Sequence, residues 1–542
     1  MNKYSFIRFL LAAVVLVGLG ACLDESPRDR LDDDETFDSP DNIYNNAVAT
    51  LYNYIGGNAE SQGLMGTYRG VYDYNTFSTD EAMIPIRGGD WYDGGFWQDL
   101  FNHNWKAADA SLCNTWNYLY KVVVLCNESL EHIDAYRALL TDDEYAAYRA
   151  EVRAVRALMY YYIMDMFGNA EIVGEGVSAD RTGRVEQVDR PVLFRYIVDE
   201  LQAVAPLLPD EHSNREGDYY GRVTRPVANF LLAKLALNAE VYADADWTDG
   251  SRPSGEGIFF TVDGRKMNAW QACVAFCDKI EGEGYALATD YADNFAIHNE
   301  YSPENIFVIP MDKSLYSNQF QYVFRSIHYA HGGARGMASE NGSCATVSTV
   351  RAYGYATDTI DSRFADNFYA DTVYFQGRVV TLDNGLPLVY QPLEVEVNLT
   401  YSPYLQTAGA RMRKYEEDPT AFNDSKNGDN DIVLYRYADV LLMKAEALVR
   451  QGLDGDAPLN QVRRRAGMPV RRATLDNILQ ERLLELMWEG WRRQDLVRFD
   501  RYQNLWDGRQ SDGEADGHTS VFPIPQTVLD LNSGMRQNPG YK

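Results

Sequence analysis

The sequence is poor in cysteine and histidine, with six cysteines and seven histidines among 542 residues. A chain of this length can build its core without disulfides. The cysteines that follow Cys22 are odd in number, so at least one thiol stays free in a monomer. Cys273 and Cys277 lie one helical turn apart without a second Cys/His pair, which is not a zinc signature. We predict that both are small buried hydrophobic residues.

Basic residues are also in deficit. The sequence has 50 lysines and arginines against 79 aspartates and glutamates, a formal net charge of −29. No stretch of the chain concentrates the positive charge in a basic stripe. Because such an acidic surface repels phosphates, the sequence excludes nucleic acid as a partner.

Long apolar runs are absent after the N-terminus. Residues 1–21 have a basic start, an apolar run at Phe9–Leu19 and small residues before Cys22. That run is shorter than the ~20 residues that a membrane-spanning helix needs. We therefore predict a lipoprotein signal peptide over residues 1–21, lipidation of Cys22, and an acidic tether over residues 22–40. The mature chain would be held at the membrane by its acyl chains alone.

The familiar catalytic and cofactor motifs are missing as well: there is no Gly-x-Ser-x-Gly elbow, no P-loop and no dinucleotide fingerprint. His328 and His331 form a lone His-x-x-His without a clear third ligand, which favours loop contacts over a metal site. Asp244–Gly250 resembles a calcium loop, but its third aspartate comes one residue late and no suitable glutamate follows, so we predict a turn. We predict no catalytic residue, no metal and no cofactor.

The clearest element that is present is a helix over Thr141–Phe167. Its apolar residues recur at alternating steps of three and four and so share one face. Thr141 and Glu144 have the spacing of a capping box, and Gly168 supplies a left-handed stop. Such a helix is about 40 Å long, enough to back several shorter helices.

The same periodicity predicts further helices at Asn42–Ile55, Ala107–His132, Pro191–Leu208, Pro226–Ala243, Ala272–Gly282, Ile432–Gln451, Leu459–Ala466 and Leu475–Arg493. Helices joined in pairs by short turns are typical of stacked tetratricopeptide-type hairpins, although no strict ~34-residue repeat is visible. We therefore predict a mainly α fold with a few short strands. A single domain would cover residues 41–542, with its helical scaffold at about 41–60, 107–243, 267–284 and 430–506.

Charged residues near the C-terminus recur at helical spacing, and we predict that they form structural ion pairs along or between helices. They are Arg482, Glu485, Glu489, Arg492, Asp495 and Arg498.

Two long insertions, at about 61–106 and 285–429, interrupt the helices and are rich in aromatic residues. The first mixes tyrosine, tryptophan and phenylalanine with glycines and carboxylates and has no sustained helical period. The second alternates loops with strand-like runs at Glu304–Pro310 and Thr372–Leu382. Long aromatic loops that form no helix face are where function tends to lie.

Several stretches resemble the SusD/RagB family, in the expected order and over nearly the whole mature chain. The stretches are Glu151–Gly168 with Glu171–Val173, Ser78–Glu81, Arg87–Gly95, His103–Trp105, Asn430–Leu448, Leu459–Gly467, Glu481–Gly490, Phe522–Pro525 and Gln537–Tyr541. The resemblance implies a glycan- or nutrient-binding lipoprotein of a Gram-negative outer membrane. It would be lipid-anchored and face outside, and Asp24-Glu25 resembles the acidic signal for surface export.

The resemblance also implies a partner, a SusC-like TonB-dependent outer-membrane transporter to which a captured oligosaccharide or polysaccharide is delivered. Two alternatives stay open from the residues alone. Carboxylates are numerous enough in the first insertion for a secreted helical glycoside hydrolase. The helical hairpins by themselves also fit a scaffold that binds only protein.

In this family the binding surface draws on both insertions, which would place residues 63–106 and 314–355 together on one face. A carbohydrate site needs flat aromatic faces for sugar rings, with polar groups around them for the hydroxyls. We predict stacking by Trp91, Tyr92 and Trp97, polar contacts from Asp90, Asp93, Asn318 and Arg335, and further ring contacts from Tyr316, Phe320 and Tyr329. The glycines around Trp91 would let the chain turn sharply and project these side chains.

Overall fold

The computed structural model describes residues 36–174, 186–510 and 516–541. The predicted signal peptide, the lipidated Cys22 and most of the acidic tether lie outside these residues. Within them, no helix is long and apolar enough to cross a membrane.

The long helix forms as predicted, over Asp142–Phe167. The Thr141 hydroxyl accepts from the Glu144 amide at 3.2 Å, and the Glu144 carboxylate accepts from the Thr141 amide at 2.8 Å. These two bonds complete the capping box. Gly168 ends the helix with φ +68°. From Ala150 to its end the helix is almost wholly buried, because neighbouring helices cover it on several sides.

The other main helices are Ala110–Ala135, Arg190–Val204, Arg225–Leu237, Ala269–Gly282, Tyr437–Arg450, Asp456–Arg465, Leu475–Leu486 and Arg492–Arg498. Consecutive helices pack on one another from Ala110–Ala135 to Arg225–Leu237. Ala269–Gly282 packs on both Arg225–Leu237 and Tyr437–Arg450, and Tyr437–Arg450 also contacts Asp456–Arg465 and Leu475–Leu486. This arrangement confirms the mainly α fold of stacked helical hairpins. Cys273 and Cys277 are buried within it with free thiols, as predicted.

Shorter helices lie at Pro40–Ile43, Val71–Thr76, Phe96–Phe101, Ala239–Tyr242, Tyr322–Ser326, Tyr329–Arg335, Val347–Ala352, Phe364–Asn367 and Gln526–Leu531. Among the described residues the strands form seven two-stranded antiparallel sheets. The longest ladder joins Asn305–Ile309 to Ile432–Arg436, and Phe259–Val262 pairs with Arg265–Asn268. The remaining strands have two residues each: Ala82–Met83 with Cys344–Ala345, Ala170–Glu171 with Gln187–Val188, Phe368–Tyr369 with Arg411–Met412, Asp371–Thr372 with Val389–Tyr390, and Tyr374–Phe375 with Arg378–Val379.

Several predicted elements differ from the structure. The expected helix at Asn42–Ile55 is a chain of short α, π and 3-10 turns that Ser39 caps. The expected helix from Ile432 begins only at Tyr437, because Ile432–Arg436 is a fully buried strand. The predicted strand at Thr372–Leu382 is divided among three short strands.

The expected helix Leu475–Arg493 is broken at residues 487–491, where Trp488 and Gly490 have positive φ. The broken turn is held by distant residues. Lys414 donates to the Met487 carbonyl at 2.6 Å, and the Trp488 amide donates to the Glu81 carboxylate. These contacts satisfy backbone groups that would otherwise need helical bonds.

The C-terminal charges pair across helices, as predicted. Arg482 donates to Asp495 and to Asp439, and Arg498 donates to Glu446 and to Asp495, at 2.6–2.9 Å. At Asp244–Gly250 the chain turns as predicted, since the Asp246 amide donates to the Asp244 carboxylate at 3.0 Å.

Candidate functional site

The two aromatic insertions contact each other directly, as expected. Ala82–Met83 of the first pairs antiparallel with Cys344–Ala345 of the second. The Gly66 amide donates to the Tyr322 hydroxyl at 2.6 Å. The loops of both insertions therefore contribute to one surface beside the helical scaffold.

Beneath this surface a buried ion pair joins the insertions. Both Asp73 carboxylate oxygens accept from the Arg325 guanidinium at 2.9 Å, and both side chains are buried. The rings of Tyr68, Phe77 and Tyr322 lie 4.8–5.0 Å from the guanidinium carbon. Burial opposes the charge on Arg325, but the Asp73 carboxylate outweighs burial and raises the Arg325 pKa. This charge-assisted pair holds the two insertions in register.

A tight turn at Arg87–Asp90 presents the residues that follow it. The Arg87 and Asp90 backbones exchange hydrogen bonds of 3.0 and 3.2 Å, and Gly88 between them has φ +70°. Burial lowers the pKa of Arg87 to about 9. Its guanidinium donates to three backbone carbonyls, those of Gly342, Leu405 and Ala408. The turn is thus anchored from below.

Trp91 is half-buried. Its indole N–H donates to the Glu340 carbonyl at 3.0 Å, and its ring lies against Gly342, where an added Cβ would come within 2.5 Å of the indole. The backbone of Trp91 has φ +62°, a conformation that costs energy for a non-glycine residue. Packing therefore fixes one part of the ring and leaves the other part at the surface.

Glu340 lies beside Trp91, and its half-buried carboxylate accepts from the Tyr68 hydroxyl. Burial raises the pKa of Tyr68 above its ordinary value, and the Glu340 charge adds to this. The phenol therefore stays protonated and donates. The Glu340 amide donates to the Phe324 carbonyl at 2.9 Å, which ties this part of the second insertion to its Tyr322–Ser326 helix.

Tyr92 and Tyr329 are the open aromatic residues of this surface, with 56% and 46% of their area exposed. Tyr92 has neither a ring contact nor a side-chain hydrogen bond within the described ranges. The Tyr329 hydroxyl lies 3.4 Å from the exposed Asp90 carboxylate. We call Asp90, Trp91, Tyr92, Tyr329 and Glu340 the loop face.

Trp97, a predicted stacking residue of the first insertion, is structural, whereas Asp93 contacts it and remains exposed. Trp97 is 1% exposed and packs against Phe77 and Phe96, so its ring has no open face for a sugar. The Asp93 carboxylate accepts from the Trp97 indole and from Arg69, both at 2.8 Å. The prediction that Trp97 is a stacking platform is therefore wrong, because the ring lies in the core and Asp93 holds it there.

The structure also separates four predicted residues of the second insertion from the loop face. Tyr316 and Asn318 line a cavity with Tyr44 and Tyr220 of the scaffold. Phe320 is half-buried and packs on Tyr415, with ring centroids 4.4 Å apart.

Arg335 is bound to Glu417, and its Nε donates to the His331 ring at 2.9 Å. His331 itself is buried, and the His328 ring accepts from the Ala330 amide at 3.0 Å. Both histidines therefore make loop contacts, as predicted. Within the described ranges no group of three or more histidine, cysteine, aspartate or glutamate side chains could hold a metal.

Sequence reasoning missed Glu340, which contributes a carboxylate to the loop face and a carbonyl to Trp91. No motif marks this residue. Glu340 is one of many polar residues in a long insertion, and only its contact with Trp91 in the folded chain distinguishes it. Because Trp91 and Glu340 are 249 positions apart, no pattern of neighbouring residues in the sequence indicates that they meet.

The loop face is chemically suited to binding. It offers two open phenol rings, part of an indole and two carboxylates that can accept from hydroxyls. Two other carboxylates of the first insertion are engaged: Asp80 with Arg492 at 2.6 Å and Asp73 with Arg325 at 2.9 Å. Burial raises the pKa of Glu81 to about 8, but that side chain is 1% exposed and lies out of reach of a ligand.

Comparisons with known proteins bear on this surface. A family model described as "Starch-binding associating with outer membrane" matches residues 27–237, and one described as "SusD family" matches residues 303–541. The chain is 26% identical to the starch-binding protein SusD of Bacteroides thetaiotaomicron over 535 residues, covering 89% of this chain and 87% of that protein.

Solved structures share the fold. A laminarin-binding SusD-like protein has a TM-score of 0.69 at 20% identity, covering 93% of this chain and 100% of that chain. Surface glycan-binding protein A from Bacteroides thetaiotaomicron, solved in complex with laminarihexaose, has a TM-score of 0.69 at 21% identity, covering 92% of this chain and 99% of that chain.

Proposed function

Because this chain belongs to the SusD/RagB family, we propose that it is a surface glycan-binding protein that captures oligosaccharide or polysaccharide at the loop face. The observation that carries the proposal is the exposure of Tyr92 and Tyr329 beside Asp90. Many aromatic residues of the two insertions are packed. Of the open rings, which also include Tyr374, Tyr401 and Phe422, Tyr92 and Tyr329 are the two beside Asp90, in sequence and in space respectively. Open rings next to a carboxylate suit a pyranose, whose C–H face stacks and whose hydroxyls donate.

Glucans are the first ligands to test. One relative is named for starch, and two structural neighbours are named for laminarin or were solved with laminarihexaose. All three ligands are neutral polymers or oligomers of glucose. The loop face fits a neutral ligand, because its free charges are the Asp90 and Glu340 carboxylates.

We further propose that the chain is lipidated at Cys22, faces the outside of the cell and delivers its ligand to a TonB-dependent transporter of the SusC type. The signal-peptide pattern before Cys22 supports the anchor, and the family supports the partner. Replacing Cys22 by alanine should release folded protein from the membrane fraction. Co-purification of the transporter with a tagged wild-type chain tests the partnership.

Binding without hydrolysis is part of the proposal, since the relatives carry binding names. A bound oligosaccharide should remain intact after prolonged incubation with the protein. Turnover that disappeared in an Asp90→Asn variant would instead support the glycoside hydrolase.

Affinity electrophoresis on a panel of neutral polysaccharides tests the function. We expect one or more glucans to retard the wild type, and the Tyr92→Ala/Tyr329→Ala double variant to lose at least ~90% of that affinity, since ~1.4 kcal/mol is a factor of ten. Tyr401→Ala is the matched control, because Tyr401 is 98% exposed and lies outside the loop face. Equal retardation of the double variant and the control would reject the loop face as the site.

A further inference from the structure

A second open and aromatic surface lies on the helical scaffold. Two adjoining cavities of about 380 and 700 Å³ occur where residues 41–55 meet residues 206–225 and 309–318. Tyr44, Asp218 and Arg222 line both cavities, so the two form one groove. Their volumes fall within the range of ~300–1,000 Å³ that is typical of ligand sites. We call this region the scaffold groove.

One wall of the scaffold groove is rigid and aromatic. The Arg222 guanidinium lies 4.6 Å from the Tyr44 ring and 4.8 Å from the Tyr219 ring. Glu151 accepts two hydrogen bonds from Arg222, of 2.9 and 2.6 Å, and one from the Tyr52 hydroxyl of 2.6 Å. A planar group between two rings and tied to a carboxylate loses little freedom when a ligand arrives.

The facing wall comes from residues 309–318 and carries Tyr316, which is 40% exposed. It is held to the first wall at Gly221, where an added Cβ would lie 2.4 Å from Pro310. Tyr220 between them is anchored, since its hydroxyl donates to Asp431 at 2.6 Å. The scaffold groove is therefore preformed.

Groups that can bind hydroxyls remain free in the scaffold groove. Across residues 36–174, 186–510 and 516–541, the Asn53 amide and the hydroxyls of Tyr219 and Tyr316 have no hydrogen-bond partner. Rings bordered by unsatisfied amide and hydroxyl groups are the combination that recognises a sugar.

The charges of the scaffold groove favour a neutral ligand. Arg222 is neutralised by Glu151. Arg225 donates to the Ala205 and Leu208 carbonyls and lies 3.2 Å from Asp210. The exposed Asp218 carboxylate keeps the remaining charge negative, so an anionic sugar or a peptide carboxylate would be repelled.

We propose that the scaffold groove is a second binding site for a neutral glycan segment, independent of the loop face. This inference rests on the proposed function, since it assumes that the protein binds glycan. Two sites on one protein would retain a long chain more strongly than either alone, through the raised effective concentration of the second segment.

Calorimetry with a short oligosaccharide of whichever glucan retards the wild type tests the inference. We expect two sites in the wild type, one in Tyr219→Ala/Tyr316→Ala, one in Tyr92→Ala/Tyr329→Ala, and none in the quadruple variant. On the full polysaccharide, the Tyr219→Ala/Tyr316→Ala variant should bind about tenfold more weakly or worse. Tyr219→Phe/Tyr316→Phe keeps both rings but lacks both hydroxyls, so it should retain two sites, with the affinity of the scaffold groove reduced less than in Tyr219→Ala/Tyr316→Ala. Equal melting temperatures confirm that each variant folds.

The outcomes separate this inference from the proposed function. A single site that persists unchanged in Tyr219→Ala/Tyr316→Ala overturns the second site while the function stands. Unchanged glycan binding together with lost co-purification of the transporter also overturns it, because the scaffold groove would then bind protein. If no neutral glycan binds the wild type at any concentration, the proposed function fails and this inference fails with it.

Discussion

The loop face and the ion-pair core of this protein differ in whether their charged side chains are paired with opposite charges. We define the ion-pair core as Glu304, Arg363, Arg436, Arg465 and Glu485, whose side chains are at most 5% exposed and are joined by contacts of 2.6–2.9 Å or shorter. In the loop face the charges have no basic partner in the described parts of the chain, and two tyrosine rings are about half exposed.

The difference shows which residues specify the fold and which are available for binding. Burial opposes ionisation of Glu485, but Arg465, Arg436 and Arg363 outweigh burial and hold its pKa well below the ordinary value. Both carboxylates of the ion-pair core are already bound by arginines. The loop face instead has open rings, and its carboxylates have no basic partner among the described residues, so a ligand can bind there.

Removing the centre of the ion-pair core should have the largest effect. Glu485→Ala leaves three buried arginines short of a partner, and we expect a loss of about 5 kcal/mol in the free energy of unfolding, or failure to fold. Chemical denaturation measures the loss. The control is Glu256→Ala, at an exposed glutamate. If Glu485→Ala and Glu256→Ala had the same free energy of unfolding, the ion-pair core would contribute nothing to stability.

Breaking the pair beneath the loop face should come next and should link the two regions. Asp73→Ala leaves the buried Arg325 uncompensated, and we expect a loss of about 3 kcal/mol. Because the pair holds the two insertions in register, glycan affinity should fall as well. Undiminished affinity in a destabilised Asp73→Ala variant would show that the loop face forms without this pair.

Asp431 is a buried carboxylate with no basic partner among the described residues, and it contrasts with Glu485. Asp431 accepts from Tyr220 and from the Met311 amide, and burial raises its pKa from 3.8 to about 7. As pH rises, the unfolded chain loses this proton first, so the stability contributed by Asp431 falls between pH 3.8 and about 7 and stays low above that.

Replacing Asp431 by asparagine should remove this pH dependence. The wild type should gain stability from pH 8 to pH 5, and Asp431→Asn should reduce that gain by about 2.7 kcal/mol, which is 1.36 kcal/mol for each of the two pH units between about 7 and 5. Urea denaturation at both pH values measures it, with the exposed Asp424→Asn as control. An identical gain in Asp431→Asn and wild type would exclude Asp431 as its source.

The smallest effects should come from the loop face itself and should separate its two kinds of aromatic residue. Tyr92→Ala should weaken glycan binding about tenfold, or ~1.4 kcal/mol, without changing the melting temperature. Trp91→Ala should weaken binding about ten- to one-hundredfold and should also lower the melting temperature, because its ring packs on Gly342. Calorimetry and thermal melting decide this. A drop in melting temperature for Tyr92→Ala would place that ring in the core.

Helices with strong periodicity and local capping signals could be predicted from the sequence. Thr141, Glu144 and Gly168 set the ends of the long helix through bonds within a few residues. Prediction failed at Ile432–Arg436 and at Trp488, where distant partners decide the backbone. A buried apolar run fits a strand or a helix equally well until its neighbour, here Asn305–Ile309, is known.

For the candidate site the division is similar. The sequence by itself determined the family, the mainly α fold, the acidic charge and the two aromatic insertions, because these depend on residue type and local order. Only the tertiary structure decided which aromatic residues are open. Trp97 and Tyr92 lie five positions apart in the same glycine-rich stretch, yet one is 1% and the other 56% exposed. Burial depends on what packs from elsewhere in the chain, and no local pattern records it.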